Sequence, residues 1–327
     1  MPPVGEQSGP LVVILGPTAV GKTALSLELA ERFDGEIVSA DSRQVYRGMD
    51  IGAAKPTATE QARIPHHLLD LVAPDETLSL AQYQQAAYTA IDGILRRRRL
   101  PLLVGGTGQY ASAVIEGWNI PEVPPNPALR ASLEHEAAEH GVQALHDRLR
   151  RADPIAAERI DPRNVRRVIR ALEVYLESGQ PISALQRKTP PPYRVLQIVL
   201  TRPRADLYTR IDDRLDAMMR SGLLQEVRGL LEAGYSPTLP AMSGLGYAQL
   251  CRYLLGETTL DEALAAIRRD TRTFARHQET WFRKYNRAAL RFEMTETTSA
   301  TIIQAVCQWL ESEIHGTSKT DTDTRSV

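Results

Sequence analysis

Short apolar runs bounded by glycine, proline or polar residues recur along the chain at Leu11 to Leu15, Ile37 to Ala40, Leu100 to Val104, Val195 to Leu200 and around Leu290 to Phe292. Runs of this length and bounding predict strands. Between them, Lys22 to Phe33, Ser79 to Arg97, Arg204 to Arg220, Leu223 to Ala233 and Leu260 to Tyr285 carry apolar residues three and four apart, which predicts helices. Strands alternating with helices imply a mainly parallel sheet covered on both faces. The alternation breaks between Trp118 and Tyr193. That stretch opens in a proline-rich segment (Pro121, Pro124, Pro125, Pro127), closes in another (Pro190, Pro191, Pro192), and has helical spacing over Leu129 to His140, Val142 to Arg151 and Val165 to Glu177. It reads as a helical insertion in an α/β core. No repeat of fixed period is visible. The polar run Gly316 to Val327 has too little apolar surface to offset the entropy of ordering it and is expected to be disordered.

Composition narrows this only slightly. The 327 residues are 43% apolar and 24% charged, as expected of a globular protein with a sizeable core. With 39 basic and 40 acidic side chains the net charge is -1, so a nucleic-acid surface requires local clustering. Cys251 and Cys307 have no Cys or His neighbour at metal-ligand spacing, which argues against a disulfide framework or a zinc site and suits a reducing cytoplasm. No apolar run approaches a membrane span, so a cytoplasmic monomer without membrane contact is expected.

Specific chemistry begins at Gly16-Pro17-Thr18-Ala19-Val20-Gly21-Lys22-Thr23, a complete G-x-x-x-x-G-K-[ST] motif between a predicted strand and a predicted helix. In such a loop, backbone amides and the helix N-terminus converge on phosphate oxygens and Lys22 reaches further ones. Thr23 is placed to ligate Mg²⁺. The cradle identifies a diphosphate-shaped ligand without saying whether phosphoryl transfer occurs. A conventional ATPase would follow with a strand ending in an acid for magnesium, yet Leu102-Leu103-Val104 runs into Gly105-Gly106-Thr107. Another run does end in an acid, Ile37 to Asp41, which puts Asp41 at the ligand-bearing edge of the sheet. On these residues alone a small-molecule or nucleotide kinase with Asp41 as base, or a non-catalytic RNA-binding phosphate-loop protein, stays open.

After the phosphate loop, Asp41-Ser42-Arg43-Gln44-Val45-Tyr46 leads to Gly48-Met49-Asp50-Ile51-Gly52 with Ala54-Lys55-Pro56. Further on come Pro65-His66-His67-Leu68-Leu69-Asp70, Gly105-Gly106-Thr107-Gly108 with Tyr110, Gly246-Tyr247, and Thr271-Arg272 leading to Gln278, Thr280-Trp281 and Arg283. This ordered set, spanning about 11 to 285, resembles the tRNA dimethylallyltransferase (tRNA isopentenyltransferase) family. The resemblance implies a P-loop NTPase-like α/β core over 9–117 and 194–315, with an all-helical insertion domain contacting tRNA over 118–193. It also implies transfer of a dimethylallyl group from dimethylallyl diphosphate to N6 of adenosine 37 in the anticodon loop of tRNAs reading codons that start with U. In that reaction Asp41 is the general base. Thr107 and the phosphate loop stabilise the departing pyrophosphate with Mg²⁺, and Arg210 and Arg214, one turn apart, add guanidinium contacts.

The target base must leave its stack to be reached, and Ser42, Arg43 and Gln44 adjoin Asp41 to read it. Further candidates for tRNA contact are Asp41 and Thr107 themselves, Arg163, Arg166, Arg167 and Arg170 in the insertion, Arg130 near its start, and Gly246, Tyr247, Arg276, Gln278, Trp281 and Arg283. Between Arg268 and Arg287 there are seven Arg or Lys against two acids. Two segments depart from the family pattern: Met242-Ser243-Gly244-Leu245 before Gly246, and Arg276-His277 before Gln278. Arg96 to Arg99 is the most basic run but sits at a predicted helix end, where positive charge suits the dipole, and reads as structural or solvated. His66 and His67 lack a third ligand and also read as structural. Trp118, Trp281 and Trp309 are too scattered in sequence to form a stacking platform.

Overall fold

The computed structural model describes residues 9–295 and 298–312; the polar run expected to be disordered, 316–327, lies outside them. The described chain divides into two compact units, one built from residues up to Ile115 and from Pro192 onward, the other from Glu116–Pro191.

The first unit runs β1 (Gly9–Leu15), α1 (Lys22–Arg32), β2 (Gly35–Ser39), α2 (Ala58–Arg63), β3 (His66–His67), α3 (Leu80–Arg96), β4 (Leu100–Gly105) and α4 (Gly108–Glu116). The second unit holds α5 (Pro127–His140), α6 (Val142–Ala152), α7 (Pro154–Arg159), α8 (Val165–Ser178) and α9 (Ile182–Leu185). The chain returns to the first unit with β5 (Tyr193–Thr201), α10 (Arg204–Arg220), α11 (Leu223–Glu232), α12 (Tyr247–Leu254), α13 (Leu260–Tyr285), β6 (Leu290–Glu293) and α14 (Thr298–Glu311).

All six strands pair in parallel, in the order β3-β2-β4-β1-β5-β6. β1 is central and buried on both faces, which is why Leu11 to Leu15 reads as an unbroken apolar run rather than an alternating one. Leu11, Val13 and Leu15 face a core shared with Tyr83, Val114 and Leu250. Val12 and Ile14 face a second core with Leu25, Leu29, Ile211, Ile302 and Val306. Each such fully buried aliphatic side chain contributes about 1.5–3 kcal/mol, and together they hold the carboxyl ends of β1, β2 and β4 side by side. The two-residue β3 escapes sequence pattern altogether, being too short to alternate. It pairs with Ile37 and Val38 of β2.

Several predicted structural roles appear directly. Glu36 is buried on β2 and accepts hydrogen bonds from Arg97 at 3.1 and 2.7 Å, Arg99 at 3.3 Å, and His67 at 2.6 Å. Burial raises its pKa, but Arg97 and His67 outweigh that and hold it down at about 2. Arg97 and Arg99 of the basic run, with His67, therefore anchor a buried carboxylate, while His66 bonds the Ile64 carbonyl at 2.7 Å.

In the second unit, helices α5 to α9 close around Leu133, Leu149, Val168, Leu172 and Ile182. Glu173 of α8, with a fully buried side chain, receives Arg130 through Nε and Nη2 at 2.8 Å each, Arg170 at 2.6 Å and the Asn126 amide at 2.8 Å. A carboxylate here is tolerable only when paired and hydrogen-bonded. Arg130 and Arg170, expected on the tRNA, are thus committed to an internal ion cluster. Arg163 pairs with Asp161 at 2.6 Å on the surface, while the side chains of Arg166 and Arg167 are exposed with no partner among the described residues. The ends of this unit lie side by side: the Thr189 amide donates to the Gly117 carbonyl at 2.8 Å, and any side chain at Gly117 would collide with the Thr189 carbonyl.

Candidate active site

The phosphate loop lies between the end of β1 and the first turn of α1. Ala19 and Gly21 take positive φ values of 63° and 114°. Gly16 lies so close to Leu200 that a Cβ there would come within 2.8 Å of its carbonyl oxygen. Several of the loop's carbonyls are held by arginines: Arg210 Nε donates to Ala19 at 3.0 Å and Arg202 Nε to Val20 at 2.9 Å. The amides of Ala19, Gly21, Lys22 and Thr23 meet no acceptor among the described residues. Carbonyls tied down and amides left open are what an anion cradle requires.

Lys22 Nζ folds back onto the carbonyls of Gly16 and Pro17 at 2.9 and 2.8 Å. Burial lowers its pKa from the usual lysine range to about 8; the nearby Asp41 charge acts in the opposite sense and Arg214 adds to the lowering. Arg214, within 3.5 Å of the Thr18 hydroxyl, is likewise pushed below the ordinary guanidinium range by burial. Lys22, Arg210 and Arg214, with the open amides, line one cavity and make a strong field for a diphosphate.

Asp41 and Thr107 come together because β2 and β4 are neighbours. The Ala40 amide donates to Val104 at 2.7 Å and the Thr107 amide to the Ala40 carbonyl at 3.1 Å. Thr107 Oγ1 then accepts the Ser42 amide at 3.0 Å. Thr107 therefore grips the chain on both sides of Asp41, whose Oδ1 accepts the Arg43 amide at 2.9 Å. The Gly-Gly turn permits this: a Cβ on Gly105 would sit 2.0 Å from the Ala40 oxygen.

A cavity of about 1420 Å³ joins these groups, with Thr18, Lys22, Thr23, Asp41, Thr107 and Arg214 on its walls. It is larger than the roughly 300–1,000 Å³ usual for one small ligand. Thr23 reaches the cavity from the first turn of α1, its hydroxyl without a protein partner among the described residues. No group of three or more metal-ligating side chains occurs among those residues. A single hydroxyl is a sparse donor set, of the kind a magnesium ion would accept only by keeping waters and taking further ligands from a phosphate.

Not every residue expected at the site is free to serve there. Tyr247 is fully buried, its hydroxyl donating to Glu226 at 2.5 Å, so it cannot touch RNA. Gln278 is 7% exposed and uses both ends of its amide, accepting from the Thr18 amide at 2.9 Å and donating to the Gly106 carbonyl at 2.8 Å. It ties the phosphate loop to the Gly-Gly-Thr turn instead of reading a base. Gln44 is similarly occupied by Ser39 at 2.8 Å and the Ala54 carbonyl at 3.0 Å. Arg43 donates to Pro240 at 2.7 Å. Ser42, Arg43 and Gly246 line the cavity. Arg276 and Arg283 are exposed on α13, whereas Trp281 is half-buried against Tyr285, with ring centroids 4.4 Å apart.

Glu226 escapes sequence reading entirely. From α11 it accepts the amides of Asp50, Ile51 and Gly52 at 2.9, 2.7 and 3.1 Å, besides the Tyr247 hydroxyl. Lys55, almost fully buried, bonds the Tyr46 carbonyl, Asp50 and Asp70. These contacts fix the long loop after Asp41. Nothing in local spacing marks Glu226, because the three amides it holds lie more than 170 positions away.

A parallel sheet with a phosphate loop after its central strand, Asp41 at the end of the next strand and a helical unit inserted before β5 define a phosphate-loop α/β protein of the P-loop NTPase-like class. The family model described as IPP transferase matches residues 44–285, and that described as isopentenyl transferase matches residues 9–70. The tRNA dimethylallyltransferase of Roseiflexus castenholzii is 61% identical over 275 residues, 84% of this chain and 90% of the relative. That of Dehalococcoides mccartyi is 46% identical over 92% of this chain and 93% of the relative. Among solved structures, the tRNA isopentenylpyrophosphate transferase of Bacillus halodurans matches with a TM-score of 0.69 at 42% identity, covering 95% of this chain and 98% of the other. A eukaryotic dimethylallyltransferase acting on tRNA matches with a TM-score of 0.76 at 27% identity, over 89% and 75%. The chain belongs to the tRNA dimethylallyltransferase family.

Proposed function

We propose that this chain transfers the dimethylallyl group of dimethylallyl diphosphate to N6 of adenosine 37 in the anticodon loop of tRNA, releasing pyrophosphate. The observation that carries the reading is the junction of Asp41 and Thr107 beside the phosphate loop in one cavity large enough for a diphosphate and a nucleobase. In the reaction N6 attacks C1, the C1–O bond to the diphosphate breaks, and the N6 proton passes to Asp41. The exocyclic amine is a weak nucleophile because its lone pair is delocalised into the purine, so the carboxylate must orient it and accept the proton as the bond forms. Lys22, Arg214 and the loop amides meet the charge that accumulates on the leaving group, so they stabilise the transition state more than the ground state. A magnesium ion held by Thr23 would add Lewis-acid stabilisation of the same oxygens.

An alternative reading as a kinase would assign the same loop to ATP and Asp41 to a hydroxyl. The end of β4 in Gly105-Gly106-Thr107, with no acid for nucleotide-bound magnesium, favours leaving-group capture. The assay mixes protein, Mg²⁺, dimethylallyl diphosphate and an unmodified tRNA bearing A36 and A37. Pyrophosphate release that requires the tRNA, with a five-carbon addition on A37 by mass spectrometry, is expected. Release independent of tRNA, or ADP formation from ATP, refutes it.

A further inference from the structure

Helix α13 presents different faces to different surroundings. Ala263, Ile267, Ala275, Gln278 and Phe282 are buried. Arg268, Arg272, Arg276 and Arg283 fall four, four and seven residues apart, which places them on one stripe. Phe274 belongs to neither group. It is 44% exposed, yet it lines the same cavity as Asp41 and Thr107, together with Asp270 and His277 of its own helix.

A single exposed aromatic ring is ordinary on a protein surface; its position here is not. Phe274 makes no ring contact with another aromatic among the described residues, unlike Tyr83, which stacks on Tyr110 at 3.7 Å, or Trp281 on Tyr285. His277, one turn on, is exposed, lines the same cavity and is also without a side-chain partner among those residues. An apolar ring one turn from an open imidazole, at the wall of a cavity that must admit a base, matches the chemistry of single-stranded RNA, in which bases stack on aromatic faces. Extruding one base from a loop also strips a stacking partner from its neighbours.

We infer that Phe274 is the stacking surface for the nucleobase adjoining the extruded adenine. The inference rests on the RNA-directed reading above. It adds a contact that reads loop shape without base identity, since every base offers a π face. A ring held in place on a helix supplies this at small entropic cost.

The experiment uses the full chain and an anticodon stem-loop RNA carrying 2-aminopurine at either position flanking the target adenine, at constant salt. Wild-type protein is expected to quench one of the two probes. Phe274→Ala is expected to lose that quench and to weaken the stem-loop Kd by about 5- to 150-fold, the equivalent of about 1–3 kcal/mol per stacked base. Affinity for dimethylallyl diphosphate alone should not change, and Phe274→Tyr should restore both quench and Kd, which separates stacking from a folding defect. Quench and Kd in Phe274→Ala equal to those of wild type overturn the inference. Because RNA binding is read apart from turnover, a wild type that shows Phe274-dependent quench but no tRNA-dependent pyrophosphate release sinks the proposed reaction and leaves the stacking role standing. Normal release with an unchanged Phe274→Ala does the reverse.

Discussion

Raising the pH should weaken the proposed binding of diphosphate about tenfold through one residue. Lys22, buried and turned back onto the carbonyls of Gly16 and Pro17, has its pKa lowered to about 8 in the free protein. An anionic ligand favours the charged ammonium, so the pKa of Lys22 in the complex lies above its value in the free protein. The sign follows by linkage. Binding that needs the proton is fully present below pH 8 and is lost as pH rises past that value toward the higher pKa of the complex. With a free pKa of about 8, the protonated fraction falls about tenfold between pH 7 and 9, equivalent to about 1.4 kcal/mol of binding. The last ionisation of an organic phosphate has a pKa near 6 and is about nine-tenths complete by about pH 7, so the ligand contributes little between about pH 7 and 9. Calorimetric titration with a non-hydrolysable thio analogue of dimethylallyl diphosphate, at intervals from pH 6.5 to about 9.5, measures the slope. Lys22→Arg keeps its charge throughout and should flatten the profile. A wild-type profile that is flat above pH 8, or an unchanged slope in Lys22→Arg, would refute the reasoning.

Two further outcomes follow from the site and from the inserted helices. Asp41→Ala should lower kcat by about 10²- to 10⁴-fold, the usual worth of a general base, while tRNA binding persists; single-turnover kinetics at saturating tRNA provide the measurement, and unchanged turnover removes Asp41 from the mechanism. Glu173, its side chain fully buried and its pKa held at about 2 by Arg130, Asn126 and Arg170 against the effect of burial, should stabilise the helices of 116–191 by about 3 kcal/mol above pH 4.5, with that contribution lost as the pH falls toward 2. Protection factors within those helices, which refer each exchange rate to the intrinsic rate at the same pH, should therefore fall as wild type is acidified, and Glu173→Ala should show lowered protection already at neutral pH. Protection equal to that of wild type would contradict it.

Much of the chemistry was legible because it is local. The phosphate loop must supply its amides from consecutive residues, so Gly16 to Thr23 carries its meaning in eight positions. Asp41 was visible as an acid at the end of an apolar strand, and Arg210 and Arg214 share a helix face through spacing alone. Tyr247 and Gln278 were misassigned for the opposite reason. Their motif positions are correct, yet a polar side chain in a motif can serve a ligand or the scaffold, and only burial and hydrogen-bond partners decide between them. Arg130 and Arg170 show the same ambiguity: an arginine reads alike in sequence whether it faces phosphate or a buried Glu173. Phe274 lay inside a segment singled out for its charge, where periodicity could not tell an exposed ring from a packed one.

Residue types at short, regular spacing suffice for the alternation of strands and helices, the phosphate-loop motif and the family resemblance. Tertiary structure alone decided that Thr107 brackets Asp41 through Ala40 and Ser42, that Gln278 joins the phosphate loop to the Gly-Gly-Thr turn, and that Glu226 fastens the loop over Asp50 to Gly52. Those contacts join residues 65 to 260 positions apart. The packing of β1, β2 and β4 and of α11 and α13 brings them together, and no local pattern of apolar and polar residues encodes such distances.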